Sequence, residues 1–141
     1  MKQDVGSLPT ARSQALGART PVLHEPTVAR LLQTIGSIRA TVFLDQLQAD
    51  LTSALNALGA AADSVDRPGI QRATHCLVAL AGTVGAAELE HAARALNQDA
   101  HASDGVDLRD RAPVVAALTA RLVAAINALR ASRQPVERPQ E

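Results

Sequence analysis

A chain of 141 residues suits one compact domain with short tails. Its 14 basic residues balance 14 acidic ones, so there is no electrostatic reason to expect nucleic acid or an anionic membrane surface as a partner. Apolar residues make up 47% but aromatics only 1%, and the apolar set is mostly Ala, Leu and Val. That composition disfavours a strand-rich fold and favours an all-α domain whose helices approach closely through small side chains. Cys76 is alone, which removes an intramolecular disulfide and a cysteine-based zinc site. The first thirty residues carry no apolar signal-peptide core, and the longest nearly apolar run, Cys76 to Ala87, is too short to span a bilayer. A soluble cytoplasmic protein is the expectation.

Residues 1–21 mix Gly6, Pro9, Gly17 and Pro21 with polar residues and show no sustained period, so they read as a disordered leader or linker. A short helix is predicted from Pro26 to Thr34, ended by Gly36. A long one follows from Ser37 to Ala62, with Leu44, Leu47, Leu51, Leu55, Leu58 and Ala62 spaced by three or four. The linker Asp63–Arg67 leads to a third helix that accepts Pro68 in its first turn and is closed by Gly85 in a left-handed conformation. The fourth, Ala86 to Ala100, puts Leu89, Ala93, Leu96 and Ala100 on one side. Ser103 to Asp107 reads as a loop. The last helix runs from Asp110 to Ser132, with Pro113 near its start and Val115, Leu118, Leu122, Ile126 and Leu129 in register. Residues 133–141, with Pro135 and Pro139, read as a disordered tail. Four amphipathic segments with short connections predict an antiparallel up-down-up-down four-helix bundle over residues 22–132, with the short N-terminal helix as an extra.

The third helix carries the strongest functional signal. Ile70, Ala73, Leu77, Leu80, Ala81 and Val84 fall within roughly 60° of Leu77 at about 100° per residue. His75 lies about 160° away, on the outer face, with Ala79 one turn above it and Gly82 on the same side. An imidazole held outward and flanked by nearly bare backbone can be reached by another protein's active site.

The run His75-Cys76-Leu77-Val78-Ala79-Leu80-Ala81-Gly82-Thr83-Val84-Gly85-Ala86, with Leu89, Ala93 and Leu96-Asn97 beyond it, resembles the histidine-containing phosphotransfer (HPt) domain family. Leu77, Val84, Gly85, Ala86, Leu89 and Leu96 occupy the family's positions without a gap. The resemblance extends back to Val22-Leu23, the short helix and Phe43-Leu44, and so covers roughly residues 22 to 130. Two positions depart from the pattern: the family's lysine three after the histidine is Val78, and its glycine four after is Ala79. Arg72, one turn before His75, is the expected substitute for the lysine's charge, because guanidinium pairs well with phosphate. The family often has a glutamine or glutamate where Asn97 stands, holding the imidazole's second nitrogen, and Asn97 is expected in that role.

The resemblance implies a phosphorelay carrier and not a kinase. His75 would accept a phosphoryl group from a receiver domain's aspartyl phosphate and pass it to a second receiver, with a hybrid histidine kinase as a further partner. Mg²⁺ and the carboxylates would belong to the receiver, so the chain needs no cofactor or metal of its own. A neutral imidazole nitrogen is a competent nucleophile near neutral pH, and transfer requires in-line attack with compensation of charge on the equatorial oxygens. Cys76, Val78, Ala79 and Gly82 leave the outer half of this helix poor in charge, which marks a docking surface that Phe43 and Gln46 of the long helix would complete. Two rivals stand beside this reading: an HPt-like adaptor that binds a receiver or other signalling partner without transfer, and a dimerising helical domain of histidine-kinase type.

The remaining histidines carry less. His24 and His91 are expected at the surface, and His101 at the rim of the phosphoryl site, four residues beyond Asn97. Their spacing makes no recognised zinc pair. Gly82 and Gly85 do not form a phosphate loop, since the Lys-Ser/Thr of that motif is missing.

Overall fold

A computed structural model describes residues 22–102 and 108–133. The leader at 1–21, the loop at Ser103–Asp107 and residues 134–141 lie outside the described residues. Arg133, assigned above to the tail, is instead the last residue of a helix. There are five helices: α1 Glu25–Ile35, α2 Ser37–Asp63, α3 Arg67–Val84, α4 Ala87–His101 and α5 Leu108–Arg133. Every predicted helix is present, with ends shifted by one or two residues.

α2 packs against α3 and α5, and α4 packs against α3 and α5, so the four long helices close a ring in chain order. Side chains at the helix ends fix the alternation of direction. Asp45, near the start of α2, pairs with Arg130 near the end of α5 at 2.6 Å. Arg109, at the start of α5, donates to the carbonyl of Asp63 at the end of α2 (3.0 Å). Arg67, at the start of α3, donates to the carbonyl of Ala100 at the end of α4 (2.9 Å). Arg109 and Arg67 satisfy carbonyls that a helix C-terminus leaves without partners.

The core runs through the bundle as stripes of Leu, Ile, Val and Ala. α4 buries the expected Leu89, Ala93, Leu96 and Ala100. On α2 the buried set is Ala40, Leu44, Leu47, Leu51, Ala54, Leu58 and Ala61, while Leu55 and Ala62 sit at its edge. Small alanines at 54 and 61 let α3 approach α2 closely, which turns the stripe by one residue. On α5, Thr119 takes a core place and Leu118 and Leu129 stay half-buried. Its hydroxyl donates to the Val115 carbonyl (2.8 Å), so no polar group is stranded.

α5 is long and apolar enough, by length and composition alone, to cross a membrane, although charged residues interrupt its apolar run. In the fold its Val115, Leu122 and Ile126 are core residues of the bundle, and its exposed residues include Arg109, Asp110, Arg111, Arg121, Asn127 and Arg133 among alanines.

The two ends of α3 are tightly made. Asp66 caps its start by accepting from the Gly69 amide (3.1 Å). Gly85 ends it at φ +69°, and the His24 amide donates to the Val84 carbonyl (2.9 Å), seating α1 over that end. His24 also caps α1, accepting from the Thr27 amide at 3.3 Å. A Cβ at position 85 would lie 2.5 Å from the His24 Cβ. Gly85→Ala therefore meets left-handed strain and a clash together, and is expected to lower unfolding stability by about 2 kcal/mol. Chemical denaturation checks this, and unchanged stability would mean that α1 is not seated there.

Candidate functional site

His75 projects from the middle of α3, exposed, opposite the fully buried Leu77. Its ring has no hydrogen-bond partner among the described residues. Both follow from the helical period, which sends Ile70, Ala73, Leu77, Ala81 and Val84 inward and leaves position 75 outside.

Toward α2, the imidazole stands at a groove of about 590 Å³. Its α2 wall includes Asp50, Ser53, Ala54 and Ala57, and its α3 wall Arg72, Cys76, Ala79 and Leu80. Alanines dominate the floor because the two helices touch through small residues there. Arg72, Cys76 and Ala79 are all exposed, and Arg72 has no ion-pair partner among the described residues. A guanidinium one turn from the ring, in the same groove, can meet an anion held at His75. Cys76 is an exposed wall residue of this groove.

Gln46 is exposed and donates to Asp50 (2.8 Å), which ties it to the rim of the groove. Phe43 lies seven residues before Asp50, about 10 Å from it along α2 by helical rise. It is half-buried against the core, so the only aromatic ring is partly spent on packing. Val78 is also half-buried. At about 100° from Leu77 it turns toward α4 and not outward, so it offers the docking face an edge only. Gly82 is exposed, and the Glu90 carboxylate, itself paired with Arg94 (2.8 Å), lies 3.8 Å from where a Cβ at 82 would stand.

Toward α4 the expectation for Asn97 needs correcting. Its amide does not reach the imidazole. Asn97 Nδ2 donates to the Gln71 carbonyl (3.1 Å) and to Thr74 Oγ1 (2.9 Å). An asparagine is too short to pass Thr74, which stands on the stripe between α4 and the histidine face. Gln71 reaches the other way and donates to the Ala100 carbonyl (3.0 Å). Thr74 and Gln71 were missed from the sequence. The available signal was position: Thr74 falls about 60° from Leu77, at the margin of the apolar stripe. His101 is exposed at the last residue of α4, level with the start of α3 and below His75. His24 and His91 are exposed as well. Among the described residues no three His, Cys, Asp or Glu side chains gather as a metal site.

Comparison with known proteins gives a consistent placement. No curated protein sequence matches the chain. A similar solved structure is that of histidine-containing phosphotransfer protein B (HptB) from Pseudomonas aeruginosa PAO1. It superposes with a TM-score of 0.65 at 24% identity, over 79% of this chain and 93% of that one. At that identity the likeness speaks for the helical-bundle fold. The family model of the Hpt domain matches residues 40–132, more than half of the chain, and takes in α2 to α5 with His75, the α2–α3 groove and Asn97. By that match the chain belongs to the Hpt domain family, whose members act as phosphocarriers in two-component signalling and not as autonomous enzymes.

Proposed function

We propose that this protein carries a phosphoryl group on His75, taking it from the aspartyl phosphate of one receiver domain and delivering it to the aspartate of another. The observation that carries this reading is the exposed imidazole at a groove it shares with Arg72, on a helix whose apolar stripe is turned inward.

Transfer is an exchange of one bond for another. An imidazole nitrogen of His75 attacks phosphorus in line, an N–P bond forms, and the O–P bond to the receiver's aspartate breaks with its electron pair leaving on the carboxylate. The ring proton stays on, or leaves from, the other nitrogen. The receiver brings Mg²⁺ and its own carboxylates. What this chain provides is the nucleophile, its orientation, a small-residue groove for docking and one guanidinium. Arg72 stands in for the lysine that Val78 replaces, compensating charge on the phosphoryl oxygens. A hybrid histidine kinase is the natural source upstream, and a cytoplasmic monomer suits such traffic.

The test is incubation with a phosphorylated receiver and Mg²⁺, followed by analysis for acid-labile phosphate on this chain. Labelling supports the carrier. Receiver binding with no labelling supports an adaptor. Run on Arg72→Ala, the assay should show transfer slowed about tenfold, the worth of one charge-assisted contact. The melting temperature should not move, because the side chain is exposed. Unchanged transfer would remove Arg72 from the site.

A further inference from the structure

We infer that Asn97 is a positioning residue for His75 that acts through the α3 backbone and not through the ring. The inference rests on the carrier reading only for its consequence in transfer; the contact itself is geometric.

In an α-helix the carbonyl of Gln71 accepts the backbone amide of residue 75. Asn97 Nδ2 donates to that same oxygen at 3.1 Å, so the hydrogen bond that closes His75's turn has a second donor on it, from α4. The same amide donates to Thr74 Oγ1 (2.9 Å). Thr74 is fully buried, and its one hydroxyl proton is spent within α3, on the Ile70 carbonyl (2.7 Å) with the Gln71 carbonyl also in reach (3.2 Å), which leaves an oxygen lone pair for Asn97. Two acceptors therefore face one NH₂ group. The opposite amide orientation would set Oδ1 against the Gln71 carbonyl, so acceptor chemistry fixes which way Asn97 points. Among the described residues Asn97 is the one side chain from another helix that donates to an α3 carbonyl.

Gln71 completes the stitch by donating to the Ala100 carbonyl (3.0 Å), one turn beyond Asn97 on α4. α3 and α4 are thus laced just beneath the histidine, while its other flank borders only the alanine-lined groove. The His75 ring has no hydrogen bond among the described residues to set its place, so its position depends on the backbone turn that carries it. Near-attack geometry tolerates little error: a misplacement of about 1 Å can cost about a hundredfold in rate.

The variants that test this are Asn97→Ala, which deletes the clamp, and Asn97→Asp, which keeps the shape and the acceptor but removes the donor. A clamp predicts that the His75 backbone amide exchanges about tenfold faster with solvent in both variants, while the amide of Val84 at the far end of α3 does not change. It also predicts that receiver-to-chain transfer falls about tenfold in both, with receiver affinity unchanged. Retention of wild-type transfer and exchange in Asn97→Asp, with loss in Asn97→Ala, would overturn it, because that pattern belongs to an oxygen that accepts from the ring. If Asn97→Ala does not fold, Thr74→Val removes one of the two acceptors at constant shape and should loosen the same amide. If wild type accepts no phosphoryl group from a receiver or from phosphoramidate, the carrier reading fails, and the His75 exchange rates alone decide the clamp. Unchanged exchange in both Asn97 variants overturns it.

Discussion

Replacement of His75 by glutamine is expected to abolish acid-labile labelling of this chain by a phosphorylated receiver, to below detection, with the fold intact. The side chain is exposed and has no hydrogen-bond partner among the described residues, so its loss removes a nucleophile and little else. Surface changes of this kind usually shift stability by about 0.5 kcal/mol or less. Glutamine keeps the polarity and approximate bulk at the groove mouth but has no nitrogen able to attack phosphorus. Receiver affinity should therefore stay within about threefold of wild type, since the alanine floor, Arg72 and Cys76 are untouched. The two readouts separate the roles. Labelling lost with binding kept marks a carrier, whereas binding kept with no label even on wild type marks an adaptor. Residual label on His75→Gln, traced by peptide mapping to the exposed His91, would move the site to another helix.

Much of this was legible in the chain because helical periodicity is a local property. His75 could be placed outside and Leu77 inside from spacing alone, and the end of α3 at Gly85 followed from glycine's access to positive φ, observed at +69°. What escaped reading depends on how helices lie beside one another. Ala54 takes the core place expected of Leu55 because close approach of α3 selects a small residue, and the stripe then runs on through Ala61 in place of Ala62; apolar spacing cannot register that. Thr74 and Thr119 look like edge residues by type, yet each donates to a carbonyl of its own helix and can be buried at little cost. Asn97 was placed correctly in sequence and wrongly in contact. Its reach is set by the lateral offset of α4 against α3, which a linear pattern does not encode. Val78 shows the converse: its departure from the family lysine was plain, while its inward lean toward α4 was not.

The same geometry makes Leu77 the most telling core position. Leu77→Ala is expected to lower unfolding stability by about 2–5 kcal/mol, the range for a buried leucine that leaves a partly unfilled cavity. Leu77 is completely buried, as is Leu51 of α2 and Leu96 of α4, so the void opens where the bundle's helices meet. Against a total of about 5–15 kcal/mol for a domain, that is a large share. The melting temperature should drop by about 10–20 °C at this size, and urea unfolding should show a lower midpoint at unchanged slope. Phosphoryl transfer measured well below the transition should nevertheless stay near wild type, because the imidazole stands on the other side of the helix and its turn is held by Asn97 and not by Leu77. Stability and transfer are thus expected to respond to opposite faces of one helix. A loss under about 1 kcal/mol would place Leu77 outside the core. The inward stripe on which the outward placement of His75 depends would then be wrong.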